Sequence, residues 1–241
     1  MKFSKDFKKI KGDASFREFY RNKKKNSILV YANKEKNTNL LIYDAVNKIL
    51  IKNKVIAPSL IYQNYQKNYI EIKDLGNKTI YQTFINNKKN FYLIFKKIIK
   101  ILNKIQLIKD KKIKNFKNKF YRIKYYKKKI FLDEVKLFND WYAPKKLKTK
   151  KLNIFKHKFD KEIKFLLSKI NYKNDTFVHR DFHISNLIIN LNNQIGLVDN
   201  QDALIGNKAY DLVSLIDDVR FKTPNYLKEK VYKYYLKTNK K

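Results

Sequence analysis

The amino-acid sequence predicts an α+β fold in two lobes: a small β-rich lobe over residues 1–72 and a mainly helical lobe over residues 73–241. Three observations carry that expectation. The first 72 residues hold short β-branched or aromatic runs bounded by polar turns, with one helical stretch among them. Beyond residue 90, apolar side chains recur at helical spacing over long segments. Within 176–199 lie a short apolar strand, a polar loop and a hairpin, with carboxylates at the strand ends. A chain of 241 residues with 44% hydrophobic and 15% aromatic residues can bury a sizeable core around a cleft.

Taken in order, residues 16–21 and 27–31 read as two strands joined by a polar turn. Residues 38–53 read as a helix that Thr38 or Asn39 can cap, with Ile42, Val46, Ile49 and Leu50 on its apolar face. Pro58 introduces strands at 60–62 and 69–72, and residues 71–76 read as a connector. Residues 91–108 carry a strong stripe of period 3.6 that includes Phe95, Ile98, Leu102 and Ile105. The Lys-rich stretch at 110–129 is read as a solvated helix face rather than a nucleic-acid surface. Amphipathic helices follow at 130–142, ending before Pro144, and at 155–170; two more are expected at 210–218 and 226–236. The chain shows no internal repeat and no flexible interdomain linker.

The net charge of +36 invites a nucleic-acid or membrane-surface reading. The basic residues argue against it, because nearly all are Lys; only Arg17, Arg21, Arg122, Arg180 and Arg220 are Arg. Specific phosphate and base recognition favours the planar guanidinium. The Lys is spread along the whole chain, as a compositional bias would spread it, so no specific nucleic acid is expected. The absence of cysteine excludes disulfides and thiol chemistry. The N-terminus lacks the apolar core of a signal peptide, and no apolar run approaches membrane-spanning length, so the cytoplasm is the expected location.

Chemistry concentrates in His179-Arg180-Asp181-Phe182-His183-Ile184-Ser185-Asn186 and in Asp199 at the end of the following hairpin. Phosphoryl transfer to a hydroxyl needs one carboxylate to accept the proton, and an amide oxygen with a second carboxylate to hold Mg²⁺ against the phosphates. Asp181, Asn186 five residues later and Asp199 supply that set, after the apolar strand 176–178. A polar turn without chemistry is the alternative. The scarce residues side with a site: two of the three histidines lie in this segment. The four glycines, Gly12, Gly76, Gly196 and Gly206, all sit at turns or beside it, where positive φ or close approach is needed.

Five stretches carry a family resemblance. They are Gly12-Asp13-Ala14-Ser15-Phe16-Arg17; Lys73-Asp74-Leu75-Gly76-Asn77-Lys78-Thr79; Leu137-Phe138-Asn139-Asp140-Trp141-Tyr142; Val178 through Leu187; and Val198-Asp199-Asn200-Gln201-Asp202-Ala203-Leu204-Ile205-Gly206 into Tyr210–Leu215. In this order they resemble the aminoglycoside/choline phosphotransferase branch of the protein-kinase-like fold. Within it they are most similar to the anomeric N-acetylmuramate/N-acetylglucosamine kinases.

The resemblance implies an ATP-dependent, Mg²⁺-using kinase whose acceptor is a small molecule, an N-acetylated amino sugar at its anomeric hydroxyl. It implies that Asp181 is the base or hydroxyl-orienting group and that Asn186 and Asp199 bind Mg²⁺. The turn Gly12, Asp13, Ala14 and Ser15 would cover the ATP phosphates, with an ordinary hairpin turn as the alternative. Backbone of Ile70, Glu71 and Ile72 would meet the adenine. Residues 28–31 lack the lysine of protein kinases, and Lys34 lies just beyond, so ATP binding would lean on Arg17 or on the loop backbone. Asn200 stands where the family usually has an aromatic. Family members usually continue with further helices that wall the acceptor pocket, which makes a truncated helical lobe an expectation.

His183, Asp202, Glu134 and Trp141 are the candidates for sugar contacts. Core packing is the favoured reading of Trp141, and a solvated helix charge that of Glu134. Asp202 could serve only to brace its loop. Asp211 is expected to accept hydrogen bonds from the catalytic loop, for example at His179 or Arg180. The competing functions are a kinase for another acceptor, such as an aminoglycoside or amino alcohol, and a non-catalytic binder of a nucleotide or nucleic acid.

Overall fold

The computed structural model describes residues 4–10, 17–33, 35, 38–86, 90–170 and 173–239. The expected phosphate turn, Gly12 to Ser15, and Lys34 lie outside these residues.

Five antiparallel strands open the fold: β1 (Phe7–Ile10), β2 (Arg17–Asn22), β3 (Ser27–Ala32), β4 (Leu60–Asn64) and β5 (Tyr69–Lys73), side by side in the order β1-β2-β3-β5-β4. Their β-branched and aromatic residues fit a pleated, half-buried surface. Helix α1 (Asn39–Lys52) connects β3 to β4. It starts with the Leu40 N–H donating to Glu35 Oε1 at 2.6 Å, while the expected cap Thr38 contributes no side-chain cap.

After β5 the chain forms β6 (Lys78–Thr79), α2 (Ile80–Asn86) and α3 (Phe91–Gln106). Residues 112–122 then depart from expectation. They make a hairpin, β7 (Lys112–Lys114) with β8 (Phe120–Arg122), not a helix face. The turn chemistry explains this: Asn115 Oδ1 accepts the Lys117 and Lys119 N–H groups, and Asn118 takes a φ of 57°. Helix α4 (Lys128–Leu137) also ends early. A wide π-turn at Phe138–Tyr142 and a tight 3₁₀ turn at Ala143–Lys145 replace its last turns, because Pro144 has no N–H to continue the ladder. Helix α5 (Thr149–Lys169) follows.

The site-bearing part consists of β9 (Thr176–Val178), β10 (Leu187–Ile189), β11 (Ile195–Leu197) and β12 (Leu204–Gly206). β10 pairs with both β11 and β6, and β9 pairs with β12. Helices α6 (Ala209–Ile216) and α7 (Asn225–Thr238) complete the fold. Among the described residues no helix is long and apolar enough to cross a membrane.

Two cores form. The smaller lies under the first sheet and contains Ile28, Val30, Ala32, Ile70 and Ile72. The larger is built on the α3 stripe, where Phe95, Ile98, Leu102 and Ile105 are fully buried with Phe84, Phe177 and Phe182. Each fully buried Ile or Leu there contributes about 2 kcal/mol before chain entropy is set against it. Helix α1 joins the two: Leu40 and Tyr43 face the small core, while Val46, Ile49 and Leu50 face the large one. Gly196 sets a second junction. A Cβ there would lie 2.8 Å from Leu75 Cδ1 and 2.9 Å from Ile56 Cγ2, so its absence lets β11 close against the connector after β5. Gly76 in that connector has a φ of 108°, which a side chain would strain.

Candidate active site

The loop between β9 and β10 is pinned from several sides. Asp211, fully buried at the start of α6, accepts the His179 N–H at 2.7 Å and the Arg180 N–H at 2.9 Å, as the sequence led us to expect. Burial pushes the Asp211 pKa up, against the two N–H groups that favour its charge. Arg180 adopts a φ of 80°, a strained conformation that needs such over-determination. Its guanidinium is held by Glu134 of α4, with Nε 2.9 Å from Oε1 and a second, shorter contact from Nη2. Tyr126 donates its hydroxyl to the other Glu134 oxygen at 2.5 Å. Glu134 is therefore neither a solvated charge nor a group directed at a substrate; it braces the loop.

A buried polar chain ties the same loop to α1. His179 Nε2 lies 2.6 Å from Asn200 Oδ1, and Asn200 Nδ2 lies 2.7 Å from Asn47 Oδ1 and 3.2 Å from the Leu197 carbonyl. A carbonyl only accepts, so Nδ2 must face Leu197; Oδ1 then faces the ring, and His179 Nε2 carries a proton. This is the structural role of Asn200, where the resembling family has an aromatic. It connects the β9–β10 loop, the loop after β11 and α1 through side chains that are almost fully buried.

These braces leave the Asp181 carboxylate itself unpaired: among the described residues no hydrogen bond or ion pair engages it. Burial raises its pKa above the ordinary carboxylate value, and the negative charges of Asp199 and Asp202 push the same way. Asn186 donates from Nδ2 to the Asp181 carbonyl at 3.1 Å, which turns its amide oxygen away from the main chain. Burial pulls the His183 pKa down, so its ring is held toward the neutral form beside Asn186 Nδ2 at 3.3 Å. Asp199 sits at the end of the β10–β11 hairpin with a φ of 64°. Its Oδ1 accepts from Arg17 Nη2 at 2.8 Å and Gln201 Nε2 at 3.2 Å, while Oδ2 makes neither bond.

Asp181, His183, Asn186 and Asp199 all line one cavity of about 470 Å³ between the first sheet and the hairpin. That size suits a small-molecule ligand. Ile28, Pro58 and Ile72 supply apolar wall from the sheet side, and Ile188 and Val198 from the hairpin side. Lys73, Asp74, Leu75 and Gly76 of the connector also line it.

Several expected residues fall elsewhere. Ile70 is buried in the small core, and the Glu71 carboxylate is taken by the Ser27 hydroxyl. The backbone of Ile70, Glu71 and Ile72 pairs with β3 on one side and β4 on the other, so β5 is an interior strand with no free edge to meet a purine. The first backbone free to do so is Leu75, whose N–H and C=O have no partner among the described residues. Arg17 is buried and bonds Asp199 and, at 2.7 Å, Gln201 Oε1; it holds the Asp199 carboxylate rather than lining the cavity. Asp202 is exposed, bonded to Gln201 at 2.7 Å and absent from the wall. Trp141 lies in the π-turn and is 70% exposed, so it neither packs in the core nor lines the cavity.

Sequence reasoning missed Arg21, Asp74 and Arg220. Arg21 Nη2 bonds Asp74 Oδ1 at 3.1 Å and the Gly76 carbonyl at 2.9 Å, which clasps β2 to the connector. Arg220 lines the same cavity. One signal was available: in a chain so biased to Lys, four of the five arginines lie in or around this site.

The model of the phosphotransferase enzyme family matches residues 6–238. The chain belongs to that family. Phosphotransferase architecture is equally clear in solved structures. An ADP-bound aminoglycoside phosphotransferase, APH(2'')-Ib, superposes with a TM-score of 0.67 at 17% identity over 95% of this chain and 76% of that one. The choline kinase LicA from Streptococcus pneumoniae gives 0.66 at 12% identity over 95% and 74%. These show the bilobal kinase-like α+β fold. By sequence, the chain is 26% identical over 208 residues to an N-acetylmuramate/N-acetylglucosamine kinase of Pseudomonas putida, covering 86% of this chain and 58% of the relative. A kinase of the same name from Neisseria meningitidis is 34% identical over 87 residues, 36% of this chain and 26% of the relative. The chain thus spans less than two thirds of the length of the curated relatives it matches.

Proposed function

We propose that this phosphotransferase is an ATP-dependent small-molecule kinase that transfers the γ-phosphoryl group to the anomeric hydroxyl of an N-acetylated amino sugar. One observation carries the reading: an unpaired, half-buried Asp181 carboxylate shares a cavity with Asn186 and Asp199. A base must be free to take a proton, and the raised pKa improves it for that task. The anomeric hydroxyl is the most acidic on a sugar, so it demands least of such a base. The names of the two curated relatives support the acceptor.

Asn186 and Asp199 are the residues that would hold Mg²⁺. Among the described residues no cluster of three or more His, Cys, Asp or Glu could hold a metal alone. Two hard oxygen donors suit Mg²⁺, which keeps waters and takes phosphate oxygens as its other ligands. When bound, the ion would neutralise phosphate charge. The isoleucine, proline and valine side chains named above would sandwich the adenine, and the Leu75 backbone would meet its edge. In this reading residues 1–72 form the nucleotide lobe and residues 73–241 the catalytic and acceptor lobe of a cytoplasmic protein.

The test is acceptor-dependent ADP release from MgATP across a panel of sugars, amino sugars, aminoglycosides and amino alcohols. N-acetylated hexosamines should be preferred, with a product whose phosphorus couples to the anomeric proton. A 3- or 6-phosphate, or turnover only with aminoglycosides or amino alcohols, would discard the acceptor assignment.

A further inference from the structure

The kinase reading leaves a charge unassigned. Strand β3 carries no lysine, and Arg17 is committed to Asp199 and Gln201. Among the described residues lining the cavity, three are cationic. Arg21 is bound to Asp74 and Gly76 at the connector end, and Lys73 lies beside them in that connector. Arg220 is the third, and it lines the cavity with Asp181 and His183.

Arg220 is presented by a fixed segment. Asp218, with a side chain only 1% exposed, accepts the Arg220 N–H at 3.0 Å and Nη1 at 3.2 Å through Oδ1. On the other side, Phe221 packs its ring 5.1 Å from Phe84 and 5.7 Å from Phe91 in the large core. The main chain is thus anchored before and after Arg220, while its own side chain is 51% exposed. A guanidinium fixed at one end and open at the other is suited to grip an anionic oxygen in two places.

The geometry points to Arg220 as a catalytic residue that clamps the transferred phosphoryl group. This rests on the kinase reading above. In the step it serves, the bond from the γ-phosphorus to the β,γ-bridging oxygen breaks and its electron pair leaves with ADP. A new bond forms from phosphorus to the acceptor oxygen, and the acceptor proton passes to the Asp181 carboxylate. Negative charge on the equatorial phosphoryl oxygens faces Arg220 throughout. A preorganised cation aimed at that charge costs no reorganisation when the reaction occurs.

The alternative role, gripping an acidic group on the acceptor, predicts a different result, because hydrolysis uses water in place of the acceptor. The experiment measures MgATP hydrolysis and transfer to N-acetylglucosamine for the wild type, Arg220→Gln and Arg220→Lys, with MgADP affinity measured alongside. Arg220→Gln should lose about 100-fold or more in both hydrolysis and transfer, as removal of one transition-state donor does, while binding MgADP as the wild type does. Arg220→Lys, which keeps the charge but loses the fork, should recover part of both rates. Unchanged hydrolysis with slowed transfer would overturn the inference in favour of an acceptor grip. A lysine variant no faster than the glutamine variant would show that the charge is not what matters, and would also overturn it. A wild-type chain that turns MgATP over with neither water nor acceptor overturns the kinase reading and this inference together; normal wild-type turnover with Arg220→Gln unchanged overturns the inference alone.

Discussion

Around Asp181 the chain holds itself with buried hydrogen bonds; along α4, the π-turn and α5 it holds itself with half-exposed rings. In the first region Asp211, Asn200 and Glu134 reach the loop from α6, the loop after β11 and α4, and Asn47 extends the network to α1. In the second, Phe138, Phe155 and Phe159 stack with ring centroids 5.3–6.2 Å apart. Leu137, Trp141 and Tyr142 stand largely exposed, and α5 buries only Leu167. The difference teaches where rigidity was placed. Buried hydrogen bonds have strict geometry and fix a loop against strain such as the φ of Arg180. Half-exposed rings give less energy and tolerate sliding, so α4, the π-turn and α5 are expected to open more readily.

The sharpest way to break this comparison is Asp211→Leu. It strands the buried His179 N–H and the part-buried Arg180 N–H, each costing about 1–3 kcal/mol. Urea unfolding should show a loss of about 2–6 kcal/mol. A loss below about 1 kcal/mol would mean that the loop does not depend on that carboxylate.

Phe159→Ala probes the other region. One ring leaves a partly exposed stack, so global stability should fall by only about 1 kcal/mol. Amide exchange along α5 should still be faster than in β9 and β10 in the wild type. Equal protection in both regions would erase the contrast.

A smaller effect sharpens the electrostatics. In the proposed reaction Asp181 works ionised, and its pKa is raised by burial with help from Asp199 and Asp202. Activity is therefore lost as pH falls through that raised value, and the acid limb of kcat/KM lies above the ordinary carboxylate range. Asp202→Asn removes one of the charges that raise it, so the acid limb should move to lower pH. A shift to higher pH would show that Asp202 does not act on Asp181 by its charge.

That Asp181, Asn186 and Asp199 would meet at one place was legible in the sequence, because their spacing is local and framed by strands. Helix α3 was legible because its stripe buries one face. The hairpin at 112–122 was not, because its aromatic residues fit either period and the Asn turn decided it. Arg21, Asp74 and Arg220 come to one cavity from three separate elements, a meeting that spacing along the chain does not encode. Asn200 looked like a departure from a pattern, and only its partner Asn47, 153 positions away, gives it a reason. Trp141 looked like core because an indole is large and apolar, yet the early end of α4 at Leu137 turns it outward.

The central claim is a division of labour: Asp181 acts on the acceptor proton, while Asn186 and Asp199 hold the metal and its nucleotide. The most direct measurement is MgATP affinity and acceptor-dependent turnover in Asp181→Asn and Asp199→Ala, side by side. The account predicts that Asp181→Asn binds MgATP nearly as the wild type does but loses about 10²–10⁴-fold in turnover, whereas Asp199→Ala loses the Mg²⁺ dependence of nucleotide binding. Near-wild-type turnover in Asp181→Asn, or unchanged Mg²⁺ dependence in Asp199→Ala, would contradict it.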